Sequence, residues 1–155
     1  MTSIRVTTRR YSFEIVREPE AAYPVGVSVG CPRDAVAIAQ HVIGAEISEC
    51  LLAIFLDGRH RVTGYTEIAR GTLNASRFRP RDLLVPALKV GCGALVLAHN
   101  HPSGCADPSQ ADRRVTRVVR EATELVGMPL LDHIIVTDSG YYSFRDAEGW
   151  EEQDR

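Results

Sequence analysis

Two short runs of apolar residues constrain the fold of this chain more than any other feature. Residues 50–56 (Cys-Leu-Leu-Ala-Ile-Phe-Leu) and residues 94–98 (Ala-Leu-Val-Leu-Ala) are apolar at every position. A strand with one face in solvent would alternate between apolar and polar residues, so these runs are predicted to be strands buried on both faces. The chain must therefore supply other elements that cover both sides of a central sheet.

Three helices are predicted to provide this cover. Helical spacing of apolar residues predicts a helix over residues 33–42, a short helix after Pro80 and a long helix that begins at Ser109. Gly127 and Pro129 are expected to end the long helix. Its buried stripe is predicted to consist of Ala111, Val115, Val118, Val119, Ala122, Leu125 and Val126.

Three further strands are predicted from the sequence. Residues 61–68 are expected to pair antiparallel with the first apolar run, and residues 134–136 and 141–144 to form a closing hairpin. Strands mixed with three helices predict a single α/β or α+β sandwich. Residues 1–30, which contain a strand-like stretch at 11–16, are expected to form an N-terminal extension, and residues 149–155 an acidic tail.

Composition and charge place few demands on partners. The chain has 155 residues, 45% of them hydrophobic, and a formal net charge of -2, so nothing at this level requires nucleic acid. No apolar run reaches the length of a signal peptide or of a membrane span, and no C-x-x-C pair is present. We therefore expect a cytoplasmic protein without membrane segments and with reduced thiols at Cys31, Cys50, Cys92 and Cys105. The sequence does not indicate an oligomeric state.

Residues of metal-binding type follow the second apolar run. His99 and His101 stand two positions apart, and residues i and i+2 of a strand project to the same face. Asp112, one turn into the long helix, can add a carboxylate if the intervening loop folds back. Zinc binds such nitrogen and oxygen ligands, and three protein ligands leave a fourth position for water, as in catalytic sites. The sequence therefore predicts one zinc site.

The same residues also have structural explanations. A histidine pair at a strand end can simply be polar residues that cap the strand. Ser109-x-x-Asp112 also fits a capping box, with Ser109 at the N-cap and Asp112 reaching back to it. Taken alone, the capping box is the simpler interpretation of this pair. Ser109 can fill both roles, but the Asp112 carboxylate is not expected to serve as both cap and ligand.

The spacing of these residues matches a known motif. His99-x-His101, seven further residues and Ser109-x-x-Asp112 fit the JAMM pattern H-x-H-x(7)-S-x-x-D at every position. The chain also resembles the RadC branch of the JAB/MPN+ superfamily at residues 55–57, 71–72, 80–81, 99–104 and 132–135. The resemblance covers residues 31–148. It implies the JAB/MPN-type, cytidine-deaminase-like α/β fold, in which helices sandwich a mixed sheet in a single domain.

Two departures from the family pattern affect the prediction. RadC-like proteins often carry an N-terminal helix-hairpin-helix region, for which residues 1–30 are too few, so the chain resembles the short forms. Cys105 stands where the family commonly has Asp, between the proposed ligands, and an additional thiolate ligand is conceivable there.

The resemblance implies zinc-dependent hydrolysis of a peptide or isopeptide amide. The family has a glutamate on an earlier strand that handles the proton of the attacking water; Glu49 is our choice, and Glu46 is the alternative. The Ser109 hydroxyl and the zinc would stabilise the oxyanion. His133 could support the metal ligands, although a structural role is favoured.

Two other classes of function remain open. The helix that begins at Ser109 carries arginines that could contact phosphates or an acidic partner, although such a run is usually a solvated face: Arg113, Arg114, Arg117 and Arg120. RadC-like proteins have been linked with DNA repair, so a DNA-associated protein is the alternative to a peptidase. An interaction module with a degenerate site is the third class, and the intact ligand set argues against it.

Overall fold

A five-stranded mixed sheet forms the centre of the protein. The structure, a computed structural model, describes residues 26–71 and 78–150. Within them the strands lie in the order β2-β1-β3-β4-β5, and only β3 and β4 run parallel. The strands are β1 Cys50–Leu56, β2 Val62–Arg70, β3 Ala94–Asn100, β4 Leu130–Val136 and β5 Tyr141–Ser143. The helices are α1 Pro32–Ile43, α2 Pro80–Val90, α3 Gln110–Leu125 and α4 Phe144–Glu148. The predicted α/β sandwich is confirmed.

The two apolar runs are the central strands, as predicted. Every residue of β1 and β3 is buried, because helices cover both faces of the sheet. Alternate residues enter different core layers: Leu52 and Ile54 pack in the layer with α1, whereas Leu51 and Phe55 pack in the layer with α2 and α3. The fold thus has one hydrophobic layer on each side of the sheet.

Helix α3 connects the parallel strands β3 and β4. A parallel pair requires such a crossover, which carries the chain from the end of β3 back to the start of β4. Residues 101–109 therefore link the carboxyl end of β3 to the amino end of α3. This connection brings the two halves of the predicted metal motif close together.

Strand β3 extends two residues beyond the predicted run. Hydrogen-bonded pairing with β4 continues through His99 and Asn100, which lie opposite Ile135 and Val136. Polar residues can stay within a strand when its neighbour continues the ladder and their side chains find partners. His99 is consequently a buried strand residue and not the first residue of a loop.

The predicted apolar stripe of α3 is partly wrong. Leu125 is 87% exposed and Val126 is 40% exposed, whereas the buried face consists of Asp112, Val115, Thr116, Val119 and Thr123. The two threonines can be buried because each hydroxyl donates to the backbone carbonyl four residues earlier, at 2.7 and 2.8 Å. A count of apolar residues assigns such threonines to the solvent side and so misplaces the buried face.

A fourth helix replaces the end of the predicted hairpin. Strands β4 and β5 do pair antiparallel, but β5 ends at Ser143, and the buried Phe144 begins α4. The Ser143 hydroxyl caps this helix by accepting from the Asp146 N–H at 3.1 Å. The pattern Ser143-x-x-Asp146 was therefore a helix-start signal that the strand interpretation overlooked.

Some predictions concern residues that the structure does not describe. The strand-like stretch at 11–16 and most of the N-terminal extension lie outside the described residues, as do residues 151–155 of the tail. The described part begins with residues that join the edge of the sheet: the Gly26 N–H donates to the Val62 carbonyl, and the Val29 N–H to the His60 carbonyl, both at 2.8 Å. Among the described helices, none has the length and apolar character needed to cross a membrane.

Candidate metal centre

The carboxyl end of β3 brings two imidazoles together. His99 is the sixth residue of the strand and is fully buried, and His101 follows the strand with its side chain 11% exposed. Their Nε2 atoms are 2.8 Å apart. Both rings lie on the α3 side of the sheet, since residues two apart on a strand share a face.

The first turn of α3 adds a carboxylate to this pair. Asp112 is 2% exposed; its Oδ1 lies 3.2 Å from His99 Nε2, and its Oδ2 lies 3.5 Å from His101 Nε2. One ligand atom from each of the three residues lies within 4.8 Å of the other two. In the part of the chain that the structure describes, no second group of three such residues converges in this way, and the Cys105 thiol does not belong to the cluster.

Ser109 and Asp112 form the predicted capping box. Asp112 Oδ2 accepts from both the backbone N–H and the hydroxyl of Ser109, at 2.7 Å each, and the Asp112 N–H donates to Ser109 Oγ at 3.1 Å. The other oxygen, Oδ1, is left to face His99. The cap therefore uses Oδ2, which also lies 3.5 Å from His101 Nε2, whereas Oδ1 faces His99. That one carboxylate cannot easily serve as both cap and ligand stays a prediction.

Asp112 is held as an anion inside the protein. Burial acts to raise the pKa of its carboxyl, but the adjacent His99 ring and the hydrogen bonds from Ser109 outweigh burial and hold that pKa below its usual range. A buried anion that faces two imidazole nitrogens favours a cation between them.

The loop after β3 orients the His101 ring. His101 Nδ1 lies 2.7 Å from the backbone carbonyl of Cys105. A carbonyl oxygen can only accept, so Nδ1 carries the hydrogen, and the Nε2 lone pair of a neutral ring faces the cluster. The turn that returns the chain to His101 passes through Gly104, whose φ of +82° suits glycine. Because Cys105 acts through its backbone, the departure from Asp at this position does not remove the contact.

His133 lies behind His99. Its Nε2 is 2.8 Å from His99 Nδ1, and its ring stacks on Phe144 at 5.0 Å between centroids. Burial is the main reason that the pKa of His133 is well below its usual value, and the neighbouring His99 adds to this effect. His133 is thus a neutral core histidine that also touches the candidate site; the sequence had favoured only its structural role.

The two candidate glutamates have different surroundings. Glu46 is bound through its carboxylate to the Arg70 guanidinium, at 2.6 Å. Glu49 immediately precedes β1, in which Leu51 lies opposite His99. Continuing this antiparallel register by two residues places Glu49 opposite His101, on the face that carries the cluster. The Glu49 carboxylate is not itself one of the three clustered groups.

Asn100 attaches the Glu49 segment to β3. Its side-chain oxygen accepts from the Cys50 N–H at 2.7 Å, and its amide donates to the carbonyls of Glu46 and Ser48 at 3.1 and 3.0 Å. All three bonds go to the segment that contains Glu49. Sequence reasoning did not identify this role, although the position of Asn100 between the two histidines pointed to the site.

Two arginines of α3 contact side chains of residues 148–150. Arg113 donates to the Glu148 carboxylate at 2.6 Å, and the Arg120 guanidinium lies 4.1 Å from the centroid of the Trp150 ring. A groove of about 370 Å³ lies here, and its lining contains three glutamates as well as three arginines. The lining residues are Arg113, Thr116, Arg117, Arg120, Glu121, Glu124, Glu148 and Trp150. Contact of Arg113, Arg114, Arg117 and Arg120 with phosphates or an acidic partner, which the sequence left open beside a solvated face, is not tested by these contacts.

Comparison with known proteins finds one matching family model and several similar proteins. The family model described as "RadC-like JAB domain" matches residues 29–150. A UPF0758 protein of Burkholderia cenocepacia is 46% identical over 108 residues, which are 70% of this chain and 42% of the relative. A UPF0758 protein of Coxiella burnetii is 40% identical over 119 residues, or 77% of this chain and 53% of the relative. The chain thus matches about half of the length of these relatives.

Proposed function

Because the chain belongs to the family of RadC-like JAB domains, we propose that it is a zinc-dependent hydrolase of peptide or isopeptide amides. Membership and the His–His–Asp cluster support a JAMM-type metal-dependent hydrolase. The choice of zinc and of an amide substrate belongs to the proposal. One observation carries it: the ligand atoms of His99, His101 and Asp112 meet within 4.8 Å at one end of the sheet.

The donor set of this cluster fits zinc. His99 Nε2 faces the lone pair of His101 Nε2 at 2.8 Å and the buried Asp112 carboxylate at 3.2 Å, so either a hydrogen or a cation must lie among these atoms. Two nitrogens and one oxygen are common zinc ligands, and three protein ligands leave a fourth position open for water or substrate, as in catalytic sites. The proposed ligand roles are therefore consistent with the geometry of these side chains.

Glu49 is proposed to move the proton. Zinc bound at this site would acidify a water molecule and polarise the substrate carbonyl. The Glu49 carboxylate would accept a proton at one of its oxygens and return it to the leaving nitrogen. Its register position opposite His101 supports this role, whereas the Glu46 carboxylate is engaged with Arg70.

Ser109 is proposed to act in two ways. In this structure its hydroxyl hydrogen goes to Asp112 Oδ2 at 2.7 Å, which holds the carboxylate in place. Rotation of the same hydroxyl would direct the hydrogen to an oxyanion of the substrate. Substitution of Ser109 is therefore expected to affect turnover more than metal content.

The test of the proposed chemistry compares two glutamate variants. Zinc-loaded wild-type protein is screened against a library of peptides and isopeptide-linked conjugates, and the best substrate is then used for the variants. Glu49→Gln should lose about 100-fold or more in kcat while it retains zinc and its melting temperature, as is typical for loss of an acid/base group. Glu46→Gln is the matched control and should stay close to wild type.

Three results would contradict this proposal. The proton role would belong to Glu46 if Glu46→Gln lost turnover and Glu49→Gln did not. Amide cleavage that survives both a chelator and His101→Ala would remove the metal from the reaction. Metal-dependent cleavage of nucleic acid, with none of any amide in the library, would refute the amide substrate.

A further inference from the structure

A buried chain of polar groups runs from α3 to the candidate metal ligand His99. Thr116 Oγ1 lies 2.6 Å from His133 Nδ1, and His133 Nε2 lies 2.8 Å from His99 Nδ1. All three side chains are buried, with relative exposures of 3%, 0% and 0%. Buried polar groups need partners, so the direction of one hydrogen bond in this series determines which atom of the next group donates.

The direction is set at the Thr116 end. The Thr116 hydroxyl is also 2.7 Å from the backbone carbonyl of Asp112. A carbonyl oxygen has no hydrogen, so the single hydroxyl hydrogen points to it, and Thr116 Oγ1 can only accept from His133. The hydrogen of the neutral His133 ring therefore lies on Nδ1, and its Nε2 has a lone pair.

The same reasoning passes to the next ring. His133 Nε2 accepts, so the contact at 2.8 Å requires a hydrogen on His99 Nδ1. In neutral His99 the other nitrogen, Nε2, then has no hydrogen. That atom faces His101 Nε2 at 2.8 Å and Asp112 Oδ1 at 3.2 Å.

We propose that Thr116 and His133 are positioning residues that select the Nδ1–H tautomer of His99 and so aim its Nε2 lone pair at the metal. This inference rests on the proposed metal site. The opposite tautomer would put a hydrogen on Nε2, in the place where a cation must bind. The stacking of His133 on Phe144 fixes the plane of the intermediate ring, so the tautomer is set by a rigid arrangement within the core.

The test removes the hydroxyl that sets the direction. Thr116→Val is close to isosteric and leaves His133 without its acceptor, whereas Thr116→Ser keeps a hydroxyl. Thr123→Val is the matched control, because Thr123 is buried on the same helix and donates to the Val119 carbonyl, but in the described structure its hydroxyl contacts no histidine. A second pair acts on the ring: His133→Phe removes the acceptor for His99 Nδ1, and His133→Gln can supply a carbonyl oxygen in its place.

Zinc affinity is measured by competition with a chromophoric chelator, using metal-free proteins of all 155 residues whose melting curves show that they are folded. Thr116→Val and His133→Phe are expected to bind zinc about 10–100-fold more weakly than wild type, as for other losses of a hydrogen-bond partner of a ligating histidine. Thr116→Ser, His133→Gln and Thr123→Val are expected to stay within a few fold of wild type. Nitrogen-15 NMR should show a hydrogen on His99 Nδ1 in the wild type, both metal-free and with zinc, and less of it in metal-free Thr116→Val.

The outcomes separate this inference from the proposed function. If wild type binds zinc, His101→Ala does not, and Thr116→Val and His133→Phe bind as wild type does, the positioning role is refuted while the metal site stands. Equal weakening in Thr123→Val and Thr116→Val would also refute it, since the effect would then be one of helix stability. Failure of wild type itself to bind zinc would refute the proposed metal site.

Discussion

At the scale of single residues, Asp112 explains how a helix cap and a candidate ligand can be one side chain. Its two carboxylate oxygens have different nearest partners: Oδ2 receives the two bonds from Ser109 and lies 3.5 Å from His101 Nε2, and Oδ1 faces His99. The cap holds the carboxylate in an orientation that leaves Oδ1 facing His99. The local helix-start signal and the metal motif are therefore the same feature of the sequence, which is why the sequence alone could not choose between them.

Substitution of Asp112 separates its two roles. Asp112→Asn keeps one oxygen for the cap but removes the negative charge that faces the histidines. The metal-free variant should lose about 1 kcal/mol of unfolding free energy, as for a weakened N-cap, whereas its zinc affinity should fall by far more than that. Denaturant unfolding of the chelator-treated protein and a zinc competition titration give the two values.

Ser109→Ala is the control for this experiment. It removes the hydroxyl that accepts from the Asp112 N–H and should cost about 0.5–2 kcal/mol of stability, while most of the zinc affinity remains. Wild-type zinc affinity in Asp112→Asn would mean that Asp112 is only a cap.

At the scale of elements, the site depends on how the segment before β1 is attached to β3. Asn100 makes three hydrogen bonds to residues 46–50, and the Glu49 carbonyl also accepts from the Gly71 N–H at 2.8 Å. Asn100 is buried, so these bonds are made in a setting where lost partners are costly. The Asn100 side chain, between the two histidines, thus fixes the segment that carries Glu49.

Substitution of Asn100 should weaken that attachment without removing a proposed ligand. Asn100→Asp can still accept from the Cys50 N–H, but it cannot donate to the carbonyls of Glu46 and Ser48. The free energy of unfolding should fall by about 1–3 kcal/mol, the cost of leaving buried groups unpaired. We expect zinc affinity close to wild type and a reduced kcat, because Glu49 is less well placed.

Thr123→Val provides the comparison for Asn100→Asp, since it also removes a buried hydrogen bond but lies away from Glu49. It should be destabilised without a change in kcat. If both variants had the same kcat as wild type, the attachment by Asn100 would have no bearing on turnover.

The elements also show what could be predicted from the sequence. The apolar run of β1 predicted both ends of the strand correctly, because Glu49 precedes Cys50 and Asp57 follows Leu56. Strand β3 was harder to delimit, since its last two residues are polar and their place in the ladder depends on pairing with β4. The buried face of α3 could not be read from apolar residues, because Thr116 satisfies its hydroxyl within the helix and contacts His133.

At the scale of the whole molecule, the fold brings together residues that are distant in sequence. The parallel β3–α3–β4 crossover places Asp112 beside His99, and pairing of β4 with β3 brings His133 behind it. The motif spacing predicted the first of these contacts through its resemblance to JAMM sequences. The second needs the sheet order, which no local pattern gives.

The metal content of the purified protein tests the central claim most directly. Wild-type protein prepared without chelator, dialysed against metal-free buffer and measured by inductively coupled plasma mass spectrometry should contain about one zinc per chain, because the cluster provides one three-ligand site. His99→Ala and His101→Ala, prepared in parallel and shown to be folded, should contain little or none. Zinc at the wild-type level in both variants, or none in wild type that is folded and supplied with zinc, would contradict the account.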